Sequence, residues 1–255
     1  MANKPPDRDL APTIQKLRLR YAKRGRLRFS SHRDFQRALE RALRRAGVPM
    51  AYSAGFSPHP KISYSNSAPT GVASEAEYVE IGVTQLCDPD KLRIELDSAL
   101  PPGLDIIEVI VATSSDFSVR LEASLWEMEI CASMEEVMGA VGELLGSTEV
   151  LVERMTKSGL RVFDARSAIL LMECVPQSAV TAPADTQMPQ ECVILHVVVR
   201  HITPSVRPDD VLTALKQVGN LVPLKPVRVT RLAQGPLTEV GISIGDPFDP
   251  DRVLV

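Results

Sequence analysis

Near its start the chain alternates, with Leu17 and Leu19 set against Lys16, Arg18 and Arg20. A period of two is that of a strand with one face on a core, here with a basic outer face. After Ser31 the period changes. Phe35, Ala38, Leu39, Ala42, Leu43 and Ala46 recur at helical spacing and make one apolar face. Ser31 with Asp34 three residues on is a capping-box start, and Gly47 followed by Pro49 is a stop. Between these two elements Lys23-Arg24-Gly25 reads as a turn and 26–29 as an extension of the strand system. Residues 50–52, 62–64, 78–83 and 104–111 read as further strands, and Asp88-Pro89 opens a second helix that runs to Leu100. The order is β-α-β-β-α-β, the ferredoxin-like split unit.

The same order then starts again. A strand is predicted at 125–130 and a helix at 135–145, followed by strand candidates at 150–155 and 161–175. A polar, Pro-containing loop covers 176–190, a strongly apolar strand 192–200, a Pro-started helix 208–218 and a last strand 227–232. The pattern predicts an α+β protein made of two tandem ferredoxin-like (βαββαβ) domains with antiparallel sheets, at 14–113 and 119–235. A disordered segment at 1–13 precedes them, and a partly ordered tail at 236–255 follows.

Composition narrows the class. The chain has 255 residues, enough for two domains that each bury a core. It has no apolar run of membrane-spanning length and no apolar signal core at the N-terminus, which predicts a cytoplasmic protein without membrane contact. Cys87, Cys131, Cys174 and Cys192 are widely spaced with no CxxC pair. That spacing disfavours zinc or an iron–sulfur cluster, and predicts four unpaired thiols, no metal and no cofactor.

Charge changes the picture more than composition does. The formal net charge is −3, yet thirteen Lys and Arg fall between Lys16 and Lys61 against only Asp34 and Glu40. On a helical wheel Arg33, Arg37, Arg41, Arg44 and Arg45 gather opposite the apolar face, and Glu40 is placed to pair with Arg44. Arg outnumbers Lys in this run, and a planar guanidinium fork suits phosphate oxygens better than an ammonium does. Arg24, Arg26, Arg28 and His32 extend the basic stretch on its N-terminal side. Beyond the helix, Tyr52 and Phe56 offer stacking faces, and His59 and Lys61 offer hydrogen-bonding or positive tips. Aromatic faces interleaved with basic groups suit unstacked single-stranded bases. A solvated charged face, with aromatics folded back on the core, is the plainer alternative.

Chemistry is sparser. Asp164 lies between Arg161 and Arg166 in GLRVFDAR. An acid held near Arg would stay ionised and could act as base or nucleophile, whereas a salt bridge is the structural alternative. No Gly-rich phosphate loop, GxSxG elbow or HxxxH spacing is present.

The stretch SSHRDFQRALERALRRAGVPMAYSAGFSPHPKIS, followed by GVASEAEYVEI, resembles a bacterial family, the radical-SAM-linked domain of unknown function. The runs SGLRVFDARSAI and VRPDDVL are similar to it as well. The resemblance implies an accessory role beside a radical S-adenosylmethionine protein. The chain lacks the CxxxCxxC cluster motif of such an enzyme. The expected function is therefore that of an RNA-binding accessory module acting with a radical SAM partner. The alternatives are a protein adaptor that docks an acidic partner surface, and an RNA-modifying enzyme centred on Asp164.

Overall fold

The alternation at the start of the chain folds into β1 (Gln15–Lys23), and the helical repeat into α1 (His32–Arg45). The computed structural model describes residues 10–157, 159–176, 192–238 and 242–252. The described chain is mixed α+β, its named strand pairs within each unit are antiparallel, and it falls into two compact units. The first is drawn from Met1–Arg120 together with Asp246–Val255, and the second is Leu121–Gly245.

In the first unit β1 and α1 are followed by β2 (Ile62–Ser65), β3 (Ala73–Val83), α2 (Pro89–Ala99) and β4 (Ile106–Val111). The strands lie in the order β4-β1-β3-β2. Leu17, Leu19 and Tyr21 of β1 and Val79, Ile81 and Val83 of β3 share one buried cluster with Phe35, Leu39 and Leu43 of α1 and Leu92 and Leu96 of α2. Both helices thus cover one face of the sheet, and the Tyr21 and Phe35 rings stack at 4.0 Å. Residues 26–29 depart from expectation. They form a short 3-10 helix, Gly25–Phe29, because Gly25 takes φ +53° and turns the chain out of the strand direction.

In the second unit the elements are β5 (Ala123–Ile130), α3 (Met134–Gly146), β6 (Leu151–Thr156), β7 (Gly159–Asp164), β8 (Ile169–Pro176), β9 (Val193–Arg200), α4 (Pro208–Gly219) and β10 (Arg228–Gly235). Its sheet order is β10-β5-β9-β8, and β6 with β7 makes a separate two-stranded ribbon. The single strand expected at 161–175 is two strands parted by a 3-10 turn at Arg166–Ala168. The polar loop expected at 176–190 lies, apart from the backbone of Pro176, outside the described residues, as do residues 1–9 of the expected N-terminal segment.

Two further expectations need correcting. Cys131 and Cys192 are joined in a disulfide, not left as thiols, whereas Cys87 and Cys174 are free. The pairing follows from strand register. Ile130 of β5 faces Val193 of β9, so the two cysteines, 61 residues apart in sequence, meet just beyond the end of the ladder. The stretch set apart as a tail also carries structure. Residues 246–252 belong to the first unit, where they end in a one-turn helix, Asp249–Arg252, and Phe248 is wholly buried against Tyr78 and Phe117 at ring distances of 5.3 and 5.7 Å. A buried aromatic ring offsets the ordering cost of such a short segment.

Candidate nucleic-acid interface

Helix α1 begins at the capping box read from the sequence. Ser31 Oγ accepts from the Asp34 N–H at 3.2 Å, while the Asp34 carboxylate accepts from the Ser31 N–H and hydroxyl at 3.1 and 2.7 Å. Those bonds from Ser31 hold the Asp34 carboxyl below its ordinary range. Phe35, Leu39, Ala42 and Leu43 are buried, which fixes the rotation of the helix about its axis. Arg33, Arg37, Arg41, Arg44 and Arg45 are consequently all exposed.

Among the described residues none of the five is held in a salt bridge. Arg44 Nε donates to the Glu40 carbonyl oxygen at 3.2 Å, where the sequence suggested a side-chain ion pair, and Arg45 donates to the Ala99 carbonyl at 3.3 Å. Carbonyl acceptors orient a guanidinium without cancelling its charge. Successive positions four residues apart along this face are about 6 Å apart in helix rise. The helix therefore presents a row of uncompensated cations to solvent.

The cations of β1 and the following turn are arranged differently. Arg18 is buried rather than on a solvent-facing strand surface, and binds both Glu80 and Asp251. Lys16 joins Glu80 at 2.9 Å, Arg20 donates to the Glu75 carbonyl, and Lys23 donates to the carbonyls of Ala68 and Pro69. Arg24 lies between Glu75 and Asp105, and the hydrogen bond it donates to Glu75 leads the effects that raise its pKa. Its charge is thus balanced within the unit. Arg26 stays exposed, while Arg28 is half-buried with its guanidinium 4.7 Å from the Phe29 ring centre.

His32 is exposed at the first turn of α1, with its ring nitrogens 3.0 Å from Gln36 Nε2 and 3.2 Å from Ser67 Oγ. Its ring meets Tyr64 edge-on at 4.8 Å. The loop from Tyr52 to Pro60 closes on itself through a bridge between those two residues. The Ser53 N–H donates to the His59 carbonyl at 2.8 Å, and the His59 N–H donates to Ser53 Oγ at 3.1 Å. A loop braced in this way holds its tip outward. Tyr52 is 42% exposed and Phe56 57% exposed, so neither ring folds back onto the core. His59 and Lys61 are exposed too, with Lys61 Nζ donating to Thr13 Oγ1 at 2.9 Å.

Asp164 closes β7. Its carboxylate accepts backbone N–H bonds from Val150, Arg166 and Ser167 at 2.9, 2.9 and 3.1 Å. Burial alone would raise its pKa, but the Val150 bond and those from the Ser167 side chain and the Arg166 and Ser167 backbones together lower it. Arg166 extends instead to the carbonyls of Ile169 and Leu145 at 3.0 and 3.2 Å, and Arg161 stands opposite Arg154 in the ribbon. The carboxylate is ionised, and its oxygens are engaged in holding the turn between β7 and β8.

A feature that sequence reasoning missed lies on the sheet face of the first unit opposite its helices. Asp251 accepts from Arg120 at 2.7 Å, from the Ser114 hydroxyl at 2.6 Å and from the Thr113 N–H at 3.0 Å, and it also binds Arg18. With the Tyr78, Phe117 and Phe248 rings, this network occupies part of that sheet face. No local pattern signals it, since Arg18 and Asp251 are 233 residues apart.

A family model matches residues 16–208, and that family is described as "Uncharacterized protein conserved in bacteria (DUF2344)". No curated protein matches the chain. Among the described residues no helix is long and apolar enough to cross a membrane.

Proposed function

The chain belongs to this bacterial family, and from that premise we propose that it is an RNA-binding accessory module that reads phosphates with the Arg face of α1. The observation that carries the reading is the row Arg33, Arg37, Arg41, Arg44 and Arg45, all exposed and none in a salt bridge among the described residues. Lys16, Arg18 and Arg24 are paired with acids, so the largest exposed group of cations left without a salt bridge between Lys16 and Lys61, among the described residues, is the Arg face of α1. A polyanion is the partner that such a field favours. Exposed Tyr52 and Phe56 add faces on which unpaired bases can stack, which points to single-stranded RNA.

Two finer parts belong to the same proposal. The first is that the units are tandem ferredoxin-like repeats. It is supported by the matching strand orders β4-β1-β3-β2 and β10-β5-β9-β8, the β6–β7 ribbon being inserted in the second. The second is that the module serves a radical SAM partner, which rests on the sequence resemblance alone.

The test is RNA binding as a function of salt with the full chain and with an Arg37→Ala, Arg41→Ala variant. Affinity for a single-stranded oligonucleotide at low salt that exceeds that of an unrelated protein of similar pI, and that falls in the variant, supports the proposal. Affinity no better than the unrelated protein's defeats it and assigns the Arg face to an acidic protein partner.

A further inference from the structure

A second concentration of cations lies in the second unit, and the α1 reading makes no use of it. In the β6–β7 ribbon Arg154 and Arg161 are directly opposed cross-strand partners, so both side chains leave the ribbon on one face. The segment before α4 closes over that face and leaves a cleft of about 610 Å³, whose polar lining includes Arg154, Thr156, Lys157, Arg161, Ser205 and Arg207. Like charges placed directly opposite in an antiparallel pair destabilise it. Asp210 offsets the charge of Arg154, and an anion would supply the counter-charge that Arg161 lacks among the described residues.

Among the described residues no acid lines the cleft. Asp210, just outside the lining, is buried and accepts from Arg154 Nη1 at 2.6 Å and from the Arg207 N–H at 2.7 Å. Asp209 sits beside it, exposed in the first turn of α4. Arg154 also donates to the Ser205 carbonyl at 3.1 Å, so it is fixed in position from two sides. Lys157, Arg161 and Arg207 are exposed and form no salt bridge among the described residues. The start of α4 is not the anion donor: Pro208 has no N–H, and that of Arg207 is taken by Asp210. Recognition would fall to the side chains.

We propose that this cleft binds the phosphomonoester group of a ligand of mononucleotide size, gripped by Arg161, Lys157 and Arg207 with Arg154 as the fixed floor. The volume lies in the range of small-ligand sites, and forked Arg donors match a dianionic phosphate. The inference stands apart from the α1 reading, because every residue in it belongs to the second unit. The phosphomonoester could arrive on a free nucleotide or at the 5′ end of an RNA chain, and the experiment separates the two.

The full-length chain is titrated calorimetrically with adenosine 5′-monophosphate and adenosine, and with a trinucleotide that does or does not carry a 5′-phosphate. The proposal expects each phosphorylated probe that binds to do so at least tenfold more tightly than its unphosphorylated counterpart. It expects Arg161→Gln, an exposed change that leaves the fold intact, to remove most of that difference, while Lys225→Gln, an exposed change away from the cleft and from α1, leaves it in place. Equal strength for the two phosphorylated probes identifies a free nucleotide as the source, and a tenfold preference for the trinucleotide identifies an RNA end. Equal affinity with and without phosphate, no binding by either phosphorylated probe, or a difference that survives Arg161→Gln would overturn the proposal.

Discussion

Asp251 shows how much a single side chain can hold. It is buried, with Arg18 and Arg120 both bonded to its carboxylate and Ser114 and Thr113 satisfying its other oxygen. Removing one member of a buried ion cluster leaves the rest desolvated and unpaired, at a cost of about 3–5 kcal/mol. Asp251→Ala should lower stability by about that amount in urea denaturation, whereas Asp249→Ala, two residues away and exposed, should cost less than about 1 kcal/mol. Burial alone would raise the Asp251 carboxyl, but the bonds from Ser114, Arg120, Thr113 and Arg18 outweigh it and hold it well below the usual range. A depressed acid stabilises the fold above its unfolded pKa and loses that contribution as pH falls through the folded value. His201 acts in the same direction at milder pH. Burial lowers its pKa, and the neutral ring lies 2.6 Å from the Leu121 carbonyl and 2.8 Å from Ser124 Oγ. Its contribution is complete above the ordinary imidazole value, so stability should begin to fall as pH drops through about 6.5. A His201→Asn variant whose stability shows the same slope below that pH would count against this assignment. Alternation along β1 rightly put Leu17 and Leu19 inside, but it also put Arg18 in solvent, because the acid that buries it lies at the other end of the chain.

At the level of elements, the sequence is most informative where local chemistry is sufficient. For α1 the capping residues, the apolar stripe and the Arg face all stand where spacing placed them. Leu39 is fully buried in that stripe, and Leu39→Ala should cost about 2–5 kcal/mol while leaving the Arg face in place. The 161–175 stretch reads as one strand because its apolar residues run on. The break is made by Asp164 accepting the N–H groups of Arg166 and Ser167, a turn that hydrophobicity does not encode. Helix–helix contact is equally silent in the pattern. At Gly219, near the end of α4, an added Cβ would fall 2.3 Å from the Ala140 Cα of α3. That neighbour is backbone and has no rotamer to turn away, so Gly219→Ala should lower the thermal midpoint through an overpacking cost of about 1–3 kcal/mol. Gly139, on the same helix as Ala140, has open space around it, and Gly139→Ala should be neutral or slightly stabilising in the same melt.

For the molecule as a whole, charge is the property that most clearly suggests a partner. A chain with a net charge of −3 gathers thirteen cations between Lys16 and Lys61, and the structure spends those of β1 on internal partners while leaving those of α1 exposed. Composition alone cannot make that division, because it needs the positions of Glu75, Glu80, Asp105 and Asp251. If the five Arg of α1 each meet a phosphate, binding releases the counterions condensed there. For single-stranded RNA, log K should fall against log salt with a slope near about −3.5, at about −0.7 per phosphate. Arg37→Ala with Arg41→Ala should flatten that slope by about 1.4, and folding should be unaffected because both side chains are exposed. Arg24→Ala should leave the slope nearly unchanged, since its charge is already balanced by Glu75 and Asp105. Phe56→Ala should weaken binding by about 1–3 kcal/mol at every salt concentration with the slope preserved, because stacking on an exposed ring releases no ions. A Phe56 variant that bound as tightly as the native chain while the double Arg variant lost its slope would confine the interface to the phosphates, and would place the bases away from the 52–60 loop.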